Sequence, residues 1–111
     1  LAASVSKRRN DSASVIAAAE CLRDPDGGVR RAAAEALSRI AEPGDRVAVA
    51  SVLISLNHES SATRQVAAAT LARVAHRGDP EVMAALCARL EGDGPEVRRS
   101  AAAALGAVAS L

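Results

Sequence analysis

Apolar and polar residues alternate along this chain with the spacing of an amphipathic helix, and the pattern itself recurs. Three stretches are nearly identical: "VRRAAAEALSRI" from Val29, "TRQVAAATLARV" from Thr63 and "VRRSAAAALGAV" from Val97. Their matching leucines fall at 37, 71 and 105, in steps of 34 residues. A fixed period of this length is typical of proteins built from stacked helical hairpins.

A first helix is predicted in each repeat after an aspartate, at Asp11, Asp45 and Asp79. An aspartate before an apolar-periodic segment favours a helix start, because its carboxylate accepts from amide groups of the first turn. The predicted helices are 11–22, 45–56 and 79–90, and in the third Pro80 takes the first helical position. Apolar residues at i, i+3, i+4 and i+7 predict the buried face, namely Val15, Ile16, Ala19 and Leu22, then Val49, Val52, Leu53 and Leu56.

A second helix follows a short turn rich in Gly, Pro, Asp and Ser, and is predicted over 29–41, 62–75 and 96–110. Gly44 and Gly78 lie just beyond the first two of these helices, where a positive φ is expected. The predicted buried stripe of the second helices comprises Val29, Ala33, Ala36, Leu37 and Ile40, then Ala67, Leu71 and Val74, then Ala101, Leu105 and Val108.

The resulting fold class is all-α, an α-solenoid of about three helical hairpins in one domain over 1–111. The repeats are about 11–44, 45–78 and 79–111, preceded over 1–10 by the remnant of another second helix. Because neither end encodes a polar capping repeat, we expect a fragment of a longer array or a chain that ends on a partner. A further hypothesis is that copies stack end to end or dock on neighbouring segments.

Composition agrees with helices that pack closely. The chain has no Phe, Tyr or Trp, and alanine, the best helix former, is abundant. Lys plus Arg number 14 and Asp plus Glu 13, so no large field of one sign directs the chain to nucleic acid or an anionic membrane. Lys7-Arg8-Arg9 is the one basic cluster, and we interpret it as a solvated turn.

The two cysteines, Cys21 and Cys87, lie far apart in helical patterns and outside any metal-binding spacing. We therefore expect two buried thiols in a reducing compartment, the cytoplasm or another intracellular one. No long apolar run predicts a membrane span, and no signal peptide is visible.

The segment "DPDGGVRRAAAEAL", residues 24–37, resembles the HEAT repeat, especially the short form also found in phycobilin lyases. The second repeat departs from it with "HESSATRQ" and the third with "GDGPEVRR". The resemblance implies a right-handed superhelix whose second helices line a concave binding surface.

Each repeat also carries one equivalent arginine, at Arg30, Arg64 and Arg98. In similar repeats this arginine bridges to an acidic loop residue, and Asp26, Glu59 and Asp93 are available. These arginines could form a structural ladder that connects the repeats, or they could bind phosphate or carboxylate groups of a ligand. The sequence leaves both interpretations open, because the planar guanidinium pairs bidentately in either role.

Candidates for chemistry are few. Deoxyhypusine hydroxylase, a HEAT-repeat enzyme, holds two irons with His-Glu pairs inside second helices, whereas His58-Glu59 here precedes the helix and has no counterpart in the other repeats. His76 closes a helix, where a cation meets the negative end of the dipole. We expect no enzyme activity, catalytic residue, metal or cofactor.

The candidate partner-binding residues are outward positions of the second helices: Arg31, Glu35, Arg39, Gln65, Arg73 and Arg99. The alternative is that these side chains only face solvent. The sequence thus predicts a protein-protein interaction scaffold or adaptor, with no nucleic-acid partner. The alternative is an accessory HEAT module of an enzyme such as a bilin lyase.

Overall fold

The computed structural model describes residues 11–109, which form six α-helices and no strand. The helices are α1 (Ser12–Glu20), α2 (Gly27–Ile40), α3 (Arg46–Leu56), α4 (Ser61–Val74), α5 (Pro80–Gly92) and α6 (Pro95–Ala109). A 3₁₀ turn, Cys21–Arg23, extends α1. The all-α prediction is confirmed. The helix remnant over 1–10 and the Lys7-Arg8-Arg9 cluster lie outside the described residues.

Side-chain caps fix where the helices begin. Asp45 Oδ1 accepts from the amides of Val47 at 2.8 Å and Ala48 at 3.2 Å. Asp79 likewise accepts from two amides of its helix, and Asp11 accepts from one. Helix α2 begins two residues before the predicted Val29, because Asp26 Oδ1 already accepts from the Gly28 amide at 2.6 Å. Such caps supply acceptors for amides that have no partner within the helix.

Three hairpins, α1–α2, α3–α4 and α5–α6, stack in chain order and form a slab of 48 × 34 × 16 Å. Between the second and third hairpins, α4 and α6 pack along much of their length, whereas α3 and α5 touch at few points. Between the first and second hairpins, in contrast, α1 and α3 pack as closely as α2 and α4, so the concave second-helix side that the resemblance implies stays a prediction. The solenoid prediction is confirmed, and the right-handed winding stays a prediction.

The core is a row of leucines, with alanines where the helices approach one another. Leu37 and Leu71 are fully buried, and so are Leu22, Leu56 and Leu86. Full burial of one such side chain stabilises the fold by about 1.5–3 kcal/mol. Ala67 and Ala101 are also inaccessible to solvent, so the backbones of α4 and α6 can lie close together. Leu105 packs against this core but is only partly buried, because within residues 11–109 helix α6 has a neighbouring hairpin on one side only.

Three residues of the predicted stripes do not belong to the core: Ile16, Val29 and the half-buried Ala36. Ile16 is 42% exposed and Val29 is 39% exposed. Val15 and Ile16 are adjacent, and consecutive helical residues point about 100° apart, so only Val15 reaches the interior. Val29 lies in the first turn of α2, and its equivalents Thr63 and Val97 in the other repeats are buried.

The predicted burial of the cysteines is also wrong. Cys21 and Cys87 are free thiols and both are exposed. Leu22 and Leu86, their neighbours in sequence, occupy the core positions instead, and the cysteine side chains consequently turn outward.

The glycine turns between repeats adopt the predicted positive φ, 79° at Gly44 and 73° at Gly78. Each turn also contacts the following repeat. The Gly44 amide donates to the Val74 carbonyl and the Gly78 amide to the Val108 carbonyl, both at 2.7 Å. Both carbonyls lie at the end of a second helix, where no partner within the helix exists. The turn of one hairpin therefore completes the helix end of the next.

No helix within residues 11–109 combines the length and the apolar character needed to cross a bilayer.

Candidate protein-interaction surface

The second helices present one stripe of exposed residues each, at i, i+4 and i+8, and these stripes lie in matching register. We call the nine positions the second-helix face; all are exposed. They are Arg31, Glu35 and Arg39 on α2, Gln65, Ala69 and Arg73 on α4, and Arg99, Ala103 and Ala107 on α6.

This face is more positive than the chain as a whole. It carries four arginines and one glutamate, whereas the chain has 14 basic and 13 acidic residues. Arg39 Nη2 lies 4.0 Å from Glu35 Oε1, and both side chains are mostly exposed, so the pair is weak. Arg31, Arg73 and Arg99 make no hydrogen bond or ion pair with any residue in 11–109. Their guanidinium groups are therefore available to a ligand.

Two adjoining hollows cross this face near the start of the second helices. The first, about 290 Å³, lies between α2 and α4; it is lined by Gly27, Arg30, Arg31, Ala62, Gln65, Val66, Ala69 and Ser100. The second, about 320 Å³, lies between α4 and α6; it is lined by Gln65, Glu96, Arg99, Ser100 and Ala103. Gln65 and Ser100 line both hollows, so the two adjoin, and together we call them the groove.

The structure brings together only part of the predicted partner-binding set. Arg31, Gln65 and Arg99 line the groove, whereas Glu35, Arg39 and Arg73 lie on the same face but outside it. The sequence-based prediction missed the alanine floor at Ala69 and Ala103. The 34-residue register could have found it, because these alanines occupy the position of Glu35 in the first repeat.

The equivalent arginines Arg30, Arg64 and Arg98 each hold the turn that precedes their own helix. Arg30 Nη1 donates to the carbonyls of Asp24 at 2.8 Å and Pro25 at 2.9 Å. Arg64 Nη1 donates to the carbonyls of His58 at 2.8 Å and Glu59 at 2.9 Å. Arg98 Nη1 donates to the Asp93 carbonyl at 2.6 Å. In all three hairpins the arginine therefore ties the turn to the second helix.

The three acidic loop residues play different parts. Asp93 accepts from Arg64 of the preceding hairpin, with Nε to Oδ2 at 2.8 Å and Nη2 to Oδ1 at 2.7 Å. The Asp26 carboxylate caps α2. Glu59, in contrast, is exposed, and its backbone carbonyl rather than its carboxylate accepts from Arg64. Within the described residues, Arg64 is thus the one member of this arginine series that pairs with a carboxylate.

Burial and hydrogen bonding both act on this pair. The side chains of Arg64 and Asp93 are 18% and 4% exposed. The hydrogen bond from Arg64, with help from the Gly94 amide, outweighs burial and holds the pKa of Asp93 below its ordinary value. The same hydrogen bond raises the pKa of Arg64 above its ordinary value. Arg64 uses Nε, Nη1 and Nη2 inside the protein, so little of its guanidinium remains for a ligand.

The two histidines take part in local structure. His58 Nδ1 accepts from the Ser60 amide at 3.1 Å, in the turn between α3 and α4. His76 follows α4, and its ring lies against Gly44 of the preceding repeat. No group of three or more His, Cys, Asp or Glu side chains within residues 11–109 is arranged to hold a metal ion.

Comparison with known proteins gives a family and no individual relative. A family model described as HEAT repeats matches residues 1–72 and 48–110. Searches of curated proteins and of solved structures returned no match. The two matched ranges together cover almost the whole chain, and the stacked hairpins agree with them. The chain belongs to the HEAT repeat family.

Proposed function

We propose that this chain is a non-enzymatic protein-protein interaction module, a scaffold or adaptor, that binds its partner on the second-helix face. HEAT repeats commonly mediate protein-protein interaction. The observation that carries the proposal for this chain is the groove across α2, α4 and α6, whose rim residues Arg31 and Arg99 have no partner within residues 11–109.

The shape of the groove favours a protein partner over a small molecule. Small-molecule sites are enclosed cavities of about 300–1,000 Å³. Each hollow here is near or below the small end of that range and open along its length, and small side chains such as Ala62 and Ala69 form its floor. Such a surface fits side chains that project from another protein.

We further propose that the protein works in the cytoplasm or another reducing compartment. Cys21 and Cys87 are exposed and unpaired, and free surface thiols are typical of proteins kept in a reducing environment.

The proposal is tested by filling the groove. Ala69→Trp places an indole at an exposed position on the groove floor, and Ala88→Trp makes the same change at an exposed position of α5, a first helix. Wild type and both variants are used as bait in an extract of the source organism, after melting curves show that all three fold. We expect specific partners that Ala88→Trp retains and Ala69→Trp loses. A set of partners that Ala69→Trp leaves unchanged would contradict binding in the groove.

A further inference from the structure

We propose that the element bound on the second-helix face is an acidic segment of the partner protein, with carboxylates that pair with Arg31 and Arg99 in the groove. This inference rests on the proposed function and assigns the chemistry of the partner.

Charge complementarity is the first argument. Arg31, Arg73 and Arg99 are exposed arginines that the described residues leave unpaired, on a face with one acidic position among nine. A guanidinium group pairs with a carboxylate through two parallel hydrogen bonds, which gives both strength and direction. Arg64 and Asp93 form this same pair within the protein, with both distances below 3 Å.

The alanines supply the second argument. Ala69, Ala103 and Ala107 occupy the exposed positions of α4 and α6 between and beside the arginines. They leave a smooth apolar strip with no long side chain to displace, so a polypeptide backbone can approach closely. Small apolar side chains of the segment would pack there, between the carboxylates.

The spacing of the repeats gives the length of the segment. Packed helices lie about 8–10 Å apart, so equivalent residues two hairpins apart, such as Arg31 and Arg99, are about 20 Å apart. An extended chain rises about 3.3 Å per residue. The segment therefore needs acidic residues about six positions apart to reach both arginines.

A nucleic acid fits this face less well. Glu35 lies between Arg31 and Arg39 on the same stripe, and Glu96 lines the groove beside Arg99. A phosphate backbone carries negative charge at every step and would meet the Glu96 carboxylate in the groove, whereas a polypeptide can place an uncharged residue there. Single-stranded nucleic acids also bind by stacking on aromatic side chains, and the chain has none.

The inference is tested with a fluorescent peptide of about twelve residues that has glutamates six positions apart and alanines or leucines between them. A matched peptide carries glutamine at each glutamate. Binding to the whole chain is followed by anisotropy, for wild type and for Arg31→Glu and Arg99→Glu. Arg77→Glu is the control, because Arg77 is exposed, lies in the turn after α4 and makes no hydrogen bond or ion pair within residues 11–109.

We expect the glutamate peptide to bind, and the glutamine peptide to bind at least tenfold more weakly. Each reversal on the face should weaken binding about three- to tenfold, as expected for loss of an exposed ion pair plus new repulsion, and Arg77→Glu should change it less than twofold. Added salt should weaken binding by screening.

Four results would overturn the inference: no binding of the glutamate peptide at about 1 mM, equal binding of the glutamine peptide, an equal loss in Arg77→Glu, or tighter binding of an oligouridylate of the same charge. If one occurs while Ala69→Trp still removes a protein partner, the acidic chemistry is wrong and the proposed function stands. If Ala69→Trp also changes nothing, both fall.

Discussion

Arg64 in the second hairpin holds the carboxylate of Asp93 in the third through two hydrogen bonds, of 2.8 and 2.7 Å. The same arginine ties down the turn before its own helix through the His58 and Glu59 carbonyls. One side chain thus connects the turn of one repeat to the turn of the next. Asp93 Oδ1 also accepts from the Gly94 amide at 2.9 Å, and Arg89 Nη1 lies 3.6 Å from Asp93 Oδ2.

The equivalent arginines should therefore differ in their contribution to stability. Arg64→Ala leaves the buried Asp93 carboxylate without its main partner and should lower the free energy of unfolding by about 2–3 kcal/mol. Arg98→Ala removes a hydrogen bond to one carbonyl from an exposed side chain and should lower it by about 1 kcal/mol. Urea unfolding of the two variants measures the difference. Equal losses would mean that the contact between hairpins adds nothing.

The Asp93 carboxylate should make stability depend on acid pH. Its pKa is lowered in the folded protein, chiefly by the Arg64 hydrogen bond, and returns to about 3.9 on unfolding. A carboxylate whose pKa is lower in the folded state stabilises the fold at pH values above its unfolded-state pKa. This stabilisation is lost as the pH falls through the folded-state pKa. Asp93→Asn should therefore be less stable than wild type at pH 7, and the gap should narrow below about pH 4. A gap that stays constant between pH 7 and pH 3 would contradict this assignment.

The core leucines should respond according to their burial. Leu71 is fully buried with hairpins on both sides, and Leu71→Ala should cost about 2–5 kcal/mol. Leu105→Ala, at the equivalent but partly exposed position, should cost about 1–2 kcal/mol. Melting curves compare the two. A midpoint unchanged by Leu71→Ala would contradict the stacking register.

The two glycine turns allow strain and crowding to be separated. Gly44 and Gly78 both have a positive φ, which in an alanine costs about 1–2 kcal/mol. A Cβ at Gly44 would also clash with the His76 ring, whereas a Cβ at Gly78 has free space. Gly44→Ala should therefore destabilise more than Gly78→Ala.

A double-mutant cycle tests the crowding. Replacing His76 with alanine should bring the cost of Gly44→Ala down to that of Gly78→Ala, because the ring that the new Cβ meets is gone. If the His76→Ala background leaves the cost of Gly44→Ala unchanged, the extra loss does not come from the histidine.

The exposed thiols should react without unfolding. Cys21 and Cys87 are exposed and free, so we expect a thiol reagent such as dithiobis(nitrobenzoate) to modify both in the native protein. Cys21→Ser and Cys87→Ser assign the two reactions. Protection of either thiol until the protein unfolds would restore the original expectation of buried cysteines.

Much of the fold was predictable because its signals are local. Asp45 caps a helix through its own carboxylate, and Gly44 takes a positive φ because it has no Cβ; neither depends on distant contacts. The position of Leu71 followed from the helical period. That period could not choose between Val15 and Ile16, because adjacent apolar residues in an alanine-rich helix fit the stripe almost equally well. The prediction that Cys87 is buried was wrong for the same reason, because the adjacent Leu86 occupies the core position.

The sequence by itself determined that three helical hairpins form, where each begins, and that they repeat in one register, since capping, glycine conformation and apolar period act within a few residues. Only the tertiary structure decided that Arg64 reaches Asp93 rather than Glu59, and that Arg31, Gln65 and Arg99 meet along one groove while Arg73 lies outside it. Those relationships depend on how far each hairpin is rotated and shifted against its neighbour, which the close fit of side chains across the interface sets and no single repeat contains.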